Sequence, residues 1–278
     1  MNQILYLFSR TFHQAALLAL FSVTLGALSP VFAEAVGKVE RVQGTARISG
    51  NLGERNAQAQ AAIEEGDRIT TERGAEVVLR MKDGAVIAVR PSSSIEITNY
   101  RFDKSDSDNS VINLFRGALR KVTGLIGKNN KDNVSVRTAT ATIGVRGTDF
   151  EAVFIDEESR ADAQSSGGKA DELGTYSKVY SGGTFLESEG KRIDVAVGQV
   201  GYVPLDPLKV ALQMGLIKNL PNSYRGGRFD NAIPNLFNGA LPDLRNLNNP
   251  AQGILNSVPK APNGNNNMPD LGDLIPRR

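Results

Sequence analysis

Val136-Arg137-Thr138-Ala139-Thr140-Ala141-Thr142-Ile143-Gly144-Val145-Arg146-Gly147-Thr148-Asp149-Phe150-Glu151-Ala152-Val153-Phe154 is the stretch that decides the fold. Thr, Val and Ile dominate it, and Phe150, Ala152 and Phe154 alternate with Glu151 and Val153, the period of a half-buried strand. Gly144 and Gly147 interrupt a β-forming run, where glycine costs stability unless the backbone turns or another segment comes close. The stretch therefore reads as strand, corner, strand. Arg137 and Arg146 flank that corner, and a guanidinium there can tie down carbonyls that a broken ladder leaves unpaired. Arg146 is accordingly expected to be a buried or half-buried corner residue, and Arg137, Thr138, Gly144, Arg146, Gly147, Thr148 and Phe150 together are expected to serve structure or an interface.

Working outward, the chain reads as β almost throughout. Val36, Val39, Val42, Ala46 and Ile48 mark a pair of strands around Gln43-Gly44, and a polar bridge from Asn51 to Glu65 leaves room for one helical turn at 57–62. Residues 75–89 form a hairpin whose alternation selects its turn. A two-residue loop at Asp83-Gly84 sets Ile87 opposite Arg80. A three-residue loop at Lys82-Asp83-Gly84 pairs Met81 with Ala85, Leu79 with Ile87 and Val77 with Val89, so one face is wholly apolar and Gly84 takes the left-handed conformation. Ile112, Leu114, Leu119 and Val122 read as strands either side of Arg116-Gly117, and 121–133 as a basic, solvated connection. Residues 156–175 read as a flexible polar loop, after which strands resume to 203.

A weak recurrence runs through these strands. Gln43-Gly44-Thr45, Arg116-Gly117-Ala118, Arg146-Gly147-Thr148 and Gly182-Gly183-Thr184 each place glycine and a small residue between two apolar runs. The chain is expected to turn a similar corner several times, as coiled or sandwiched β architectures do.

The ends differ from the middle. Arg10 is the only formal charge before Glu34, Ala15 to Leu28 is mostly apolar, and Val31 and Ala33 occupy the small-residue positions of a cleavage site. Residues 1–33 are therefore read as a signal peptide, since the apolar run falls short of the ~20 residues a membrane span needs. At the other end, Asp206-Pro207 is read as the cap of a short helix within 205–220. Residues 221–278, rich in Asn, Pro and Gly, are read as a largely disordered tail.

Composition narrows the chemistry. The one histidine, His13, lies in the signal peptide, and cysteine is absent. A mature chain without imidazole or thiol has no histidine-based triad, cysteine nucleophile, thiolate zinc site or iron–sulfur cluster. No cofactor and no metal is expected. Asp106-Ser107-Asp108 has Val111 and Gly117 where a calcium loop needs glycine and a bidentate glutamate. Ser166 and Lys169 have the spacing of a serine–lysine dyad but fall in a polar loop. Asp149 and Glu151 make a poor acid–base pair. Discounting Arg10, the 32 Lys and Arg become 31 against 30 acidic residues, which favours neither nucleic acid nor an anionic membrane.

The ordered series Val39-x-x-Val-x-Gly44, Gly66-Asp67-x-Ile-Thr-Thr71, Val77-x-Leu-x-x-Lys-Asp-Gly84, Arg90-Pro-Ser-Ser93, Leu114-x-x-Gly117 and Val136 to Thr148 resembles the FecR-type periplasmic domain. The ending, Val179-Tyr180-Ser-Gly-Gly183 and Val197-Gly-Gln199, is similar too, so the resemblance spans roughly 36–203. It implies an all-β fold, a twisted solenoid-like or sandwich-like domain of short strands and hairpins over 34–204. In the iron-uptake regulators that name the family, such a domain receives a signal from an outer-membrane transporter and passes it to a sigma factor. Those regulators carry an anti-sigma segment before a membrane span. Here a signal peptide is read instead, so a free-standing, secreted or periplasmic, non-enzymatic form is expected. It would bind an envelope protein through a strand edge or sheet face and would not be an integral membrane protein after cleavage, and the same edge leaves a strand-edge dimer open. An exported glycan-binding module is the alternative, disfavoured by the absence of Trp and the presence of six Tyr.

Overall fold

A computed structural model describes residues 34–165, 171–224 and 226–233. The signal peptide with His13, Ser166 and Lys169 of the dyad spacing, and the tail from 234 onward lie outside the described residues. Within them are seventeen strands. Their pairings resolve into two layers that share one long strand.

The order of the first sheet is β4 (Ala62–Ile63), β1 (Gly37–Gln43), β6 (Glu76–Met81), β7 (Val86–Val89), β9 (Asn109–Val122), β12 (Asp149–Ile155), β13 (Gly174–Ser181), β16 (Val200–Pro204) and β17 (Gly215–Ile217). The second runs β3 (Gly53–Asn56), β2 (Ala46–Gly50), β5 (Arg68–Thr71), β8 (Ser94–Arg101), β9 again, β10 (Val134–Arg137), β11 (Thr142–Val145), β14 (Gly183–Ser188) and β15 (Lys191–Ala196). The expected strands either side of Arg116-Gly117 are thus one strand. Its first half pairs with β8 and β10, and from Gly117 its second half pairs with β12 and, over Leu119 to Val122, with β7.

Side chains alternate along each strand, so each sheet turns one apolar row inward. Val77, Leu79, Ile87, Val89, Leu119, Phe150 and Phe154 of the first sheet meet Ile48, Ile69, Ile95, Ile112, Val136 and Ile143 of the second in one core. The hairpin lies as its alternation requires: Val77 faces Val89, Leu79 faces Ile87, the Met81 amide donates to the Ala85 carbonyl, and Gly84 has φ 82°.

The recurrent glycines mark where the chain changes sheet. Gly44, Gly117, Gly147 and Gly182 have φ of 74°, 80°, 69° and 78° and stand between β1 and β2, within β9, between β11 and β12, and between β13 and β14. The strands around Gln43-Gly44 are therefore neighbours in sequence and not in hydrogen bonding. Gly117 is doubly constrained, because a Cβ there would sit 2.8 Å from the Ser92 carbonyl oxygen and 2.8 Å from the Ser93 Cα. Every pairing is antiparallel except β9 with β10, which requires a crossover. That crossover carries α1 (Leu125–Asn129) and a 3-10 turn (Lys131–Asn133), and returns the chain from the first sheet to the second.

Several local expectations are corrected. Residues 57–62 form no helical turn: β3 and β4 flank them, because the Ala57 and Gln60 amides are already taken by the Ala46 and Val39 carbonyls. The presumed flexible loop contains α2 (Glu157–Ser165), whose first turn is capped by Asp156 Oδ1 accepting from the Ser159 amide at 2.8 Å. Asp206 does cap a helix, accepting from the Leu208 amide. That helix is a 3-10 turn (Pro207–Lys209) running into α3 (Val210–Gln213), and the chain then becomes strand β17. Residues 221–224 and 226–233, read as the start of the tail, lie against the first sheet. Leu220 and Tyr224 pack with Val153, Tyr176 and Tyr202, and Phe229 and Ile233 with Val78, Val86, Ala88 and Val122.

Gly117→Ala should lower stability by at least about 2 kcal/mol, since a positive φ and a backbone clash both penalise the new Cβ. Gly53→Ala, at φ 80° with open space around it, pays only the dihedral cost of about 1 kcal/mol. Urea unfolding of the two variants separates these terms.

Candidate functional site

The residues singled out from sequence do not gather in one place. Arg137 is exposed on the outer face of the second sheet. Thr138 closes the β10–β11 turn, its Oγ1 accepting from the Thr140 and Ala141 amides and lying 2.6 Å from the buried Thr175 hydroxyl. Thr148 and Thr123 bond reciprocally, each amide finding the other residue's oxygen. Phe150 is fully buried. Gly144 is required by a close approach, because a Cβ there would fall 1.9 Å from the Phe185 ring that lies across it.

Arg146 departs from expectation. Its side chain is 46% exposed, meets Asp194 at 3.4 Å and lies over the Phe185 ring, while its amide, not its guanidinium, secures the corner by donating to the Gly183 carbonyl. The pairing of β11 with β14 runs up to this corner through Val145 and Thr184, and the Arg146 amide extends it by one bond. Arg192 stacks on the same Phe185 ring at 3.5 Å, and Arg68 covers Phe115 at 4.1 Å. These aromatic faces are occupied by guanidinium groups, an arrangement that leaves little open ring for sugar stacking.

Asp83 does more than close a turn. It is buried, its Oδ1 accepts from the Ala85 amide and the Tyr100 hydroxyl, and its carbonyl accepts from the Leu125 amide. One carboxylate thus fixes the hairpin tip against β8 and α1. Asp108, in the loop that departs from a calcium motif, spends both oxygens on its own turn, accepting from the Asp103 and Ser105 amides. Among the described residues no group of three acidic or other ligating side chains is placed to hold a metal.

The concentrated charge lies elsewhere, on the outer face of the first sheet. Alternation that points Val77, Val89, Leu119 and Phe150 inward points Glu76, Arg90, Arg120, Asp149 and Glu151 outward, onto neighbouring strands. Arg90, 2% exposed, donates through Nε and Nη2 to both oxygens of Glu151 at 2.7 and 2.9 Å and through Nη1 to Glu76 at 2.8 Å. Arg120 grips Asp149 with Nε and Nη2 at 2.8 and 2.7 Å. Both arginines also reach Oδ1 of Asp230, at 2.7 and 3.1 Å. Burial opposes the Arg90 charge and Glu151 overcomes it, holding the guanidinium protonated well above its ordinary range. Asp149 does the same for Arg120. Asp149 and Glu151 share this face, two residues apart, but each is engaged bidentately by an arginine and neither is available as a general acid or base.

The members of this cluster stand far apart in the chain, and no local pattern joins them: in sequence Arg90 belongs to the Arg90-Pro-Ser-Ser93 motif and Glu151 to a half-buried strand period. Lys121 differs from its expected place in a solvated connection. It points into the core between Ile87 and Phe150, and its Nζ donates to Ser110 Oγ at 2.9 Å. Burial pushes this ammonium down to about 8 from the ordinary 10.5, against the pull of Asp83.

Residues 67–182, from the end of the polar bridge through the Gly182 crossing, match the family model described as FecR protein. No curated protein matches the chain. Among solved structures, two crystal structures of a proposed anti-sigma factor from Parabacteroides distasonis ATCC 8503 are similar at 14% and 15% identity and a TM-score of 0.38, over 56% of this chain. The chain spans 60% of the length of each. A structure described as a cell surface anchoring domain is similar at 22% identity and a TM-score of 0.23, covering 24% of this chain and 88% of that one.

Three variants test the assignments. Arg90→Met should cost about 3–5 kcal/mol, because it strands two buried carboxylates, whereas Arg146→Ala should stay within about 0.5 kcal/mol, as exposed positions do; denaturant midpoints measure both. Lys121→Met should stabilise the protein at neutral pH. Between about 8 and 10.5 the unfolded chain binds the proton that folded Lys121 has lost, so wild-type stability rises with pH and the variant's advantage shrinks. Paired melting curves across that interval read the difference. The architecture read from the strands and the matched span agree on one assignment: residues 67–182 of this chain are a FecR domain.

Proposed function

We propose that this protein is exported to the cell envelope and acts there by binding another protein, in signalling or scaffolding, without catalysing a reaction. The exported location rests on the signal-peptide reading of residues 1–33, and a regulatory role is in keeping with the FecR domain. The protein-binding reading is carried by the distribution of exposed apolar side chains. Leu208, Leu212, Leu216 and Ile217 are 88%, 89%, 50% and 36% exposed, and they crowd the segment that ends in the outermost strand of the first sheet. Clustered apolar exposure marks interaction surfaces. Beside it, β17 pairs with β16 through Val200–Ile217, Gly201–Leu216 and Tyr202–Gly215, and as the last strand in the order it offers its other edge to an added strand. No helix among the described residues is long and apolar enough to cross a membrane.

A photo-crosslinker at position 212 or 216 should capture one envelope protein from native extract, and a crosslinker at position 137 should not. Leu212→Asp with Leu216→Asp should abolish that capture while leaving the melting temperature within a few degrees. Capture of a second copy would make the edge a homodimer contact. Recovery of cell-wall glycan without protein would overturn the proposal.

A further inference from the structure

The segment 226–233 occupies the outer face of the first sheet as a bound peptide would. Its backbone bonds turn back on itself, the Asp230 amide to the Gly227 carbonyl and the Ile233 amide to the Phe229 carbonyl, rather than joining a strand. It is recognised at four points. Two guanidinium groups converge on one Asp230 oxygen, while its other oxygen accepts from the Gly227 amide at 2.8 Å. Glu76 Oε2 accepts from the Arg228 amide at 2.7 Å. Gly227 lies directly on the Arg90–Glu76 pair, where a Cβ would sit 1.6 Å from Arg90 Nη1. Ile233, 1% exposed, and Phe229 cover Val78, Val86, Ala88 and Val122.

The face is complete in charge without this segment. If Asp230 leaves, Arg90 keeps Glu76 and Glu151 and Arg120 keeps Asp149, so departure strands no buried cation. Asp230 itself is 28% exposed, so water reaches the contact at its rim. The recognising residues also lie within the FecR span, whereas the segment lies beyond its end at residue 182.

From this geometry we propose that the outer face of the first sheet is a peptide-recognition site, filled here by the chain's own residues 226–233. It takes in trans a polypeptide segment of a partner protein with the form glycine, two residues of which the second is aromatic, aspartate, two residues, isoleucine. The inference rests on the protein-binding reading and gives it a second site, distinct from the apolar edge at 208–217.

The test uses the full chain with Gly227→Val, which keeps the segment from seating while the recognising residues stay intact. A fluorescein-labelled peptide of sequence Gly-Gly-Arg-Phe-Asp-Asn-Ala-Ile is titrated with this variant, with Asp230→Ala, and with wild type, and followed by anisotropy. Saturable binding is expected to both variants, at least tenfold weaker binding to wild type, and loss of binding when the peptide's aspartate becomes asparagine or when Arg120→Ala is added to the variant. Absence of saturable binding by variants whose near-ultraviolet circular dichroism matches wild type overturns the proposal. So does unfolding of both variants, which makes the segment part of the folding core. Either failure leaves the capture at 212 and 216 untouched, so the two readings fail separately.

Discussion

The bend of β9 at Gly117 is the constraint on which the two-layer architecture depends. One strand supplies a hydrogen-bonding neighbour to both sheets, so the layers are joined through a continuous backbone and not by side-chain packing alone. A strand that changes sheet must turn its ladder without losing its bonds, and here the turn is possible because residue 117 lacks a Cβ where the Ser92–Ser93 backbone passes. Packing energetics follows from that placement. The inward rows of both sheets bury branched aliphatic residues against one another, and dense packing penalises any change in the angle between the layers.

The charge pattern obeys a second constraint. Buried ions survive when their partners are in place before water is excluded, and bidentate arginine–carboxylate geometry achieves this on the outer face of the first sheet. The same reasoning explains the contrast among the arginines. Arg90 lies between carboxylates of β6 and β12, whereas Arg146 sits at the exposed rim with one loose ion pair and the Phe185 ring beneath it. Lys121, bonded only to a neutral hydroxyl, is the exception, and burial lowers its pKa despite the opposing field of Asp83.

The two surfaces of interest differ in chemistry: one an apolar edge beside an open strand, the other a charged face already covered by a short segment of the same chain. An edge recognises any extended segment through its main chain, while the paired arginines, the glycine-only contact and the apolar floor demand particular side chains at fixed spacing.

The sequence by itself determined what local physics controls. Alternation at Val77 to Val89 specified strands, register and the left-handed turn at Gly84, because side-chain period and turn length are short-range properties. The repeated glycine–small pairs announced corners for the same reason, and Asp206-Pro207 announced a cap. Only the tertiary structure decided which corners join which sheets, that the two runs around Gly117 are one strand, and that residues 220–224 and 226–233 return to cover the first sheet. It alone brought Arg90, Glu151 and Asp230 together across 61 and 140 residues of chain. A charged residue in a strand looks the same in sequence whether its neighbour is water or a carboxylate, and that neighbour is chosen by long-range pairing, which no local pattern encodes.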